Sequence, residues 1–246
     1  MTYCLGIKLK SGIIALADTR ITSGTETTTA RKVFTFQRDN CSVLLMTSGL
    51  RSIRDKALIY FREVIENNFQ EFDKMYKVVN AFGAQLRKVS AEDRESLVKS
   101  GLHFNLFTIV GGQLSKDSEH KLFLLYPEGN WIEVTQSSPF VIIGNSGYGK
   151  PILNRTMTYE TELHEALKVA FLSFDSTRVS ANDVEFPIDV VLYRPHSFQL
   201  IDQRFEKNDL QHISAAWDEE LKNALKKIPE DWTEPILGVL EKKDIE

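Results

Sequence analysis

Position 2 is a threonine, and a threonine at a chain terminus joins two parts of acyl-transfer chemistry on one residue. Its hydroxyl is the nucleophile. Its α-amino group, with an unperturbed pKa of about 7.7–8.0, is partly unprotonated near neutral pH and takes the hydroxyl proton directly or through water. Met1 precedes it, and the small Thr2 side chain permits cytosolic removal of that methionine, which would leave Thr2 with a free α-amino group. Met-Thr is also a common start, so the case rests on what surrounds it.

Residues 2–9 and 13–18 are apolar-rich segments joined by Lys10-Ser11-Gly12, the pattern of two strands and a tight turn. With the turn centred on Ser11, residues whose numbers sum to about 22 lie opposite, so Asp18 comes level with Cys4 and Arg20 with Thr2. Asp18 and Arg20 then either end the strand as a solvated pair or bring a carboxylate and a guanidinium beside the nucleophile. Ala15-Leu16-Ala17 runs straight into Asp18, and an acid at the end of a buried strand needs a partner. Lys32 is the candidate, after a polar loop from Thr22 to Ala30 and just before Val33-Phe34. A lysine held near Asp18 stays charged at neutral pH, lowers the pKa of a nearby hydroxyl and stabilises its alkoxide. Arg31 cannot share a proton relay, because guanidinium does not deprotonate in proteins. The alternative for Lys32 is an exposed strand-edge lysine that discourages aggregation. Thr47-Ser48-Gly49 leads from a strand to a helix, where backbone N–H groups are free for an oxyanion and Gly49 permits close approach of substrate. The same letters serve an ordinary strand-to-helix turn.

The elements that must position these residues follow from periodicity. A second strand pair spans Lys32–Phe36 and Ser42–Thr47, turned at Arg38-Asp39-Asn40. After Gly49, Ile53, Ala57, Phe61, Val64 and Ile65 share one face of a helix, and Met75, Val78, Val79, Phe82, Leu86 and Val89 mark another. Strands are expected at His103–Val110, Lys121–Tyr126, Trp131–Val134 and Phe140–Ile143, with Gly111-Gly112 as a turn. A helix from about Tyr159 and a hairpin of Ile188–Tyr193 and Phe198–Asp202 follow. Strands and helices cluster rather than alternate, which favours an α+β layered domain with antiparallel sheets over a parallel α/β fold. From about residue 208, Leu210, Ile213, Trp217, Leu221, Ala224 and Leu225 form an amphipathic helical tail, and beyond Pro229 the sequence thins into a charged end. The expected division is 1–207 and 208–246.

Composition narrows the function classes. The 246 residues are 42% hydrophobic and 26% charged, with a net charge of −4, an ordinary globular balance that excludes disordered, fibrous and disulfide-scaffold proteins. Cys4 and Cys41 belong to no CxxC pair, and a reducing cytoplasmic setting fits two lone thiols. No apolar run reaches the ~18 residues of a membrane span. Lys and Arg are scattered rather than striped, which gives no support for nucleic-acid binding.

The rival chemistries have weak motifs. Gly144-Asn145-Ser146-Gly147-Tyr148-Gly149-Lys150 has P-loop spacing after an apolar strand, yet position 151 is Pro where that motif needs a hydroxyl for Mg²⁺. A glycine turn before a helix with Pro in its first turn explains the same letters. His103, His120, His164, His196 and His212 show no metal-ligand spacing, and Asp183, Glu185 and Asp189 read as loop solvation and a strand-edge acid. No metal or cofactor is expected.

Together, TYCLGIK, IIALADTRIT, the basic KVF and the SG before the first helix resemble, in order and spacing, the proteasome β-subunits among the N-terminal nucleophile hydrolases. MTYCLGI, GNSGYG, LSFDSTRVS and WDEELKNAL look more specifically like the bacterial ancestral β-subunit (Anbu) family, nearly end to end. The resemblance implies a four-layer αββα sandwich and a threonine amidohydrolase mechanism. Thr2 would be nucleophile and, through its amine, general base; Lys32 would lower its pKa, Asp18 would orient Lys32, and the Gly49 N–H would form the oxyanion hole. Ser146 matches the family's serine near the terminal amine and Asp175 the acid that helps hold it. Ser180 is a further match, followed by residues 181–187 as an insertion relative to proteasome subunits. Thr22, Thr47 and Arg51 fall where substrate-binding residues line the family's cleft, and Arg51 would favour acidic groups. The resemblance also implies homo-oligomerisation into a ring or related assembly, with the Trp217 helix as an added subunit contact. A catalytically silent assembly subunit and an amidase on a non-protein amide are the other readings; nothing in the sequence identifies the scissile bond or an ATPase partner.

Overall fold

The computed structural model describes residues 2–23 and 25–243; the expected removal of Met1 falls on a residue outside them. The chain divides into two compact units that meet at residues 207 and 208. In the first, β1 (Tyr3–Leu9) and β2 (Gly12–Asp18) form a hairpin, followed by β3 (Arg20–Ser23), β4 (Glu26–Thr29), β5 (Val33–Arg38) and β6 (Cys41–Gly49). Two helices come next, α1 (Arg51–Asn67) and α2 (Met75–Lys99). Then come β7 (Leu106–Leu114), β8 (Lys121–Leu125), β9 (Trp131–Glu133) and β10 (Phe140–Gly144). Helices α3 (Lys150–Thr156) and α4 (Leu163–Ser180) precede the last hairpin, β11 (Ile188–Tyr193) and β12 (Leu200–Phe205).

Two five-stranded antiparallel sheets result, ordered β10-β1-β2-β11-β12 and β5-β6-β7-β8-β9. Side-chain alternation sorts the core into layers. On β6, Leu44 and Met46 meet Cys4, Ala15, Ala17 and Val191 of the other sheet. Val43 and Leu45 turn the other way, onto Ile53, Ala57 and Phe61 of α1 and Val78 and Phe82 of α2. On the far side, α4 covers β1 and β2, with Phe174 edge-on to Tyr3 at 6.1 Å. The architecture is the αββα sandwich, and the pattern that makes it is apolar residues on both faces of central strands, as in the wholly buried β1 and β2.

Four expectations need correction. The β1–β2 turn has only Lys10 and Ser11 between paired Leu9 and Gly12, so opposite residues sum to 21: Cys4 faces Ala17, and Asp18 comes level with Tyr3 rather than Cys4. That shift of one puts Cys4 and Asp18, expected to lie opposite each other, on opposite faces of the sheet, and it removes Arg20 from Thr2. The loop Thr22 to Ala30 contains a hairpin, with Thr22 paired to Thr27, because its threonines are β-branched and suit strands. Gly111-Gly112 is not a turn: β7 runs through it, and a side chain at Gly112 would overlap the Ser42 carbonyl of β6. Past Pro229 the charged end contains α6 (Glu234–Lys243), with Pro235 in its first turn.

The second unit contains the rest of α5 (Lys207–Leu225) and α6; no residue of α5 is buried.

Candidate functional site

Thr2 stands just before β1, the strand flanked by β10 and β2, so the sheet holds its backbone from two sides. Its carbonyl accepts from the Asn145 N–H at 2.7 Å, and it is about nine-tenths buried. Gly144 pairs with Tyr3 at φ +90°, where a side-chain carbon would overlap the Thr2 carbonyl oxygen and press on Ser48 Oγ. Glycine is required there because it admits both the left-handed backbone and the close approach.

The corrected register gives Asp18 its role. Level with Tyr3, its Oδ1 accepts from the Tyr3 N–H at 2.8 Å and from Lys32 Nζ at 2.6 Å, while Oδ2 accepts from the Arg20 N–H at 3.2 Å. Asp18 is fully buried and Lys32 nearly so. Burial pushes the Asp18 carboxyl up from the ordinary carboxylate value; the Lys32 ammonium and the two backbone donors oppose it. The expected aspartate–lysine contact is therefore present, and the carboxylate also grips the backbone of the residue after Thr2.

From Lys32 the contacts continue to the end of β6. The Lys32 carbonyl accepts from the Thr47 N–H at 3.3 Å, and Cys4 Sγ donates to the Thr47 carbonyl at 3.8 Å. Thr47 Oγ1 is buried without a hydrogen-bond partner among the described residues. Gly49 closes β6 at φ +146°, where a side chain would overlap the Asn105 carbonyl, and α1 starts two residues later. Cys4 is no rival nucleophile: burial raises its thiol far above the ordinary range.

The other expected residues are placed differently. Ser146 follows Asn145 and accepts at its carbonyl from the Lys150 N–H at 3.2 Å. Asp175, buried on α4, has Oδ1 engaged by Arg178 Nη2 at 2.7 Å and Nε at 3.0 Å. The same helix reaches the site through Ser173, whose Oγ lies 2.6 Å from the Tyr3 hydroxyl. Ser180, Thr22 and Arg51 are exposed, and Arg51 pairs with Asp55 at 3.3 Å; among the described residues no contact ties these three to Thr2. The P-loop letters form no phosphate cradle: β10 is an antiparallel edge strand, and the Asn145 and Lys150 N–H groups are already bonded. Among the described residues no three His, Cys, Asp or Glu side chains gather as a metal site.

Sequence reasoning missed Asn145, Ser48, Ser173 and Arg178. For Asn145 the GNSGYG segment carried a signal, since a glycine next to a β-bridge marks close backbone approach, and for Arg178 the i,i+3 spacing from Asp175 did.

An arrangement of this kind suits acyl transfer: a hydroxyl fixed by its own backbone, a buried cation held by a buried carboxylate, and a glycine-ended strand beside it. Comparison with known proteins identifies the family. Residues 2–191 match the proteasome subunit family. An Anbu (Gly-1) mutant from Hyphomicrobium sp. strain MC1 is 31% identical, over 94% of this chain and 99% of that one, with a TM-score of 0.86. Anbu (ancestral β-subunit) from Yersinia bercovieri is 30% identical, over 92% and 98%, with a TM-score of 0.85. The helical assembly of the Anbu complex from Pseudomonas aeruginosa is 28% identical over 92% and 97%, with a TM-score of 0.86. None of the curated proteins compared with the chain matches it.

Proposed function

Because the chain belongs to the proteasome subunit family, and within it to the Anbu ancestral β-subunits, we propose that it is an N-terminal threonine hydrolase of peptide or related amide bonds, working in a cytoplasmic homo-oligomer. The observation that carries this reading is the buried Lys32–Asp18 pair at 2.6 Å, tied to the residue next to Thr2.

With Met1 removed, the Thr2 hydroxyl attacks the substrate carbonyl while the Thr2 amine takes the hydroxyl proton. Lys32 stabilises the developing alkoxide by charge, and Asp18 holds Lys32 in place. The Gly49 N–H stabilises the tetrahedral oxyanion. The amine returns its proton to the leaving nitrogen, which departs and leaves an ester on Thr2; water activated by the same amine then cleaves that ester. By the family resemblance Ser146, Asp175 and Ser180 would act on the amine and Thr22, Thr47 and Arg51 would line the substrate cleft; of these, Asp175 is engaged by Arg178, and Ser180, Thr22 and Arg51 make no described contact with Thr2.

Covalent labelling with a peptide boronate or epoxyketone tests the reading, beside Thr2→Ala and an intact-mass measurement of the N-terminus. Thr2-dependent labelling of Met1-free protein is expected. Retained Met1, or no labelling in a protein that still assembles, overturns it in favour of a structural subunit.

A further inference from the structure

We infer that the outer edge of β10 is a docking groove for an extended peptide bearing a carboxylate, a side that continues from the Thr2 site. The inference rests on the hydrolase reading only in taking peptides as the substrate class.

Strand β10 pairs with β1 on one side and ends its sheet on the other. The bonds Lys8 N–H to Pro139 O and Asn145 N–H to Thr2 O, each 2.7 Å, show which residues face β1. In an antiparallel ladder residues alternate, so Phe140 and Ile142 turn their N–H and C=O groups outward, where no described residue bonds to them. A cleft of about 460 Å³ lies along this edge, lined by Phe140, Ile142, Ser146, Lys150 and Asn154 among others. Unpaired strand edges recruit extended chains, and main-chain hydrogen bonds supply the affinity.

The charge in the cleft selects the occupant. Lys150 is the one ionisable side chain lining it; it forms no ion pair among the described residues, and no acid lines the cleft. A second copy pairing symmetrically through this edge would present the same lining to itself and bring no carboxylate. A peptide with a C-terminal or side-chain carboxylate supplies what is missing. The location fits a substrate or product segment, because Ser146 lines the cleft and follows Asn145, which holds the Thr2 carbonyl.

The test is calorimetric titration of full-length Thr2→Ala protein with an acetylated Thr-Val-Ser-Val-Thr peptide, as the free acid and as the C-terminal amide. The acid should bind at least tenfold more tightly, Lys150→Glu should abolish that preference, and Ile142→Pro, which deletes one outward N–H, should weaken both peptides tenfold or more. Equal binding of the two peptides, no binding of either, or a preference that survives Lys150→Glu overturns the inference. So does an Ile142→Pro protein that changes its sedimentation while binding peptide normally, since the edge then pairs copies. If Ile142→Pro does not fold, Lys150→Glu decides alone. Boronate labelling without peptide binding sinks this inference and leaves the hydrolase; peptide binding without Thr2-dependent labelling does the reverse.

Discussion

Lys8 on β1 and Lys32 near the start of that strand are both buried, and of the two only Lys32 has a buried counter-ion. Lys32 Nζ lies 2.6 Å from Asp18 Oδ1, with 4% and 0% of the two side chains exposed. Lys8 Nζ lies 3.1 Å from Glu119 and 3.7 Å from Glu133; its own side chain is 3% exposed, but the acids are 36% and 37% exposed. Lys121 holds both of those acids as well, at 2.9 Å each. A buried lysine is thus no mark of function by itself. Lys8 keeps its stem dry and its head at a wet, shared carboxylate cluster, which is a stable way to end a strand. The Lys32 site takes both charges out of water, which is costly, and desolvated pairs of that kind concentrate where chemistry uses the field.

The largest expected effects follow from breaking the dry pair. Lys32→Ala or Asp18→Asn should lower Thr2-dependent hydrolysis by about 10²–10³-fold, the scale of removing one preorganised charge from a transition state. Either change leaves the partner buried and unpaired, so chemical unfolding should also show a loss of about 3–5 kcal/mol. A variant that loses stability while keeping its rate would make the pair structural and erase the contrast with Lys8.

Two glycines extend the comparison. Gly144 beside Thr2 and Gly12 at the opposite end of the β1–β2 hairpin both have positive φ, and a side chain at either would overlap a carbonyl, of Thr2 and Tyr193 respectively. Alanine at each should destabilise by about 1–3 kcal/mol through strain. Gly144→Ala should in addition displace Thr2 and cost about 10²-fold in rate, whereas Gly12→Ala should leave the rate of the folded protein unchanged. Rates measured below each variant's melting point separate the two.

The sequence showed the dry site better than its supports. Thr2, Asp18 and Lys32 could be assembled because residue types with rare joint chemistry flank a recognisable hairpin. Gly49 followed from the strand-to-helix change of period. The layered α+β class followed from the clustering of strands and helices, and the four-layer order from the family resemblance. What failed was what a one-residue change in turn length controls: the actual turn of Lys10 and Ser11 sets Asp18 against Tyr3, and no hydrophobic pattern on two fully buried strands distinguishes the registers. Gly111-Gly112 misled because glycine serves close sheet packing as readily as turns. The Asp175–Arg178 contact, between residues three apart on one helix, was within reach of spacing alone.

Lys8→Met should be a small change. Methionine keeps the buried stem, and Glu119 and Glu133 remain exposed enough for water and paired with Lys121. The expected loss is about 1 kcal/mol or less, with the hydrolysis rate unaltered. A rate loss would show that charge at the far end of β1 reaches Thr2.

The subtlest expected difference is in how the two clusters answer pH, because their acids shift in opposite directions. Burial raises the Asp18 carboxyl above its ordinary 3.8. Between that value and the raised one the folded state binds more protons than the unfolded, so this group's contribution to stability grows as pH falls and is lost as pH rises through the window. The hydrogen bond from Lys121 leads in lowering Glu119 below its ordinary 4.5, with Lys8 assisting against partial burial. Its contribution is present above 4.5 and is lost as pH falls through the folded value. The melting-temperature difference between wild type and Asp18→Asn should therefore slope against pH with one sign, and that for Glu119→Gln with the other. Activity separates the clusters again: protonating Asp18 removes the charge that fixes Lys32, so hydrolysis should fall in the acid window where the Asp18 contribution to stability rises, and Glu119→Gln should leave that acid limb in place. An acid limb that persists in Asp18→Asn would assign it to another group and leave Asp18 as a support of the Tyr3 backbone alone.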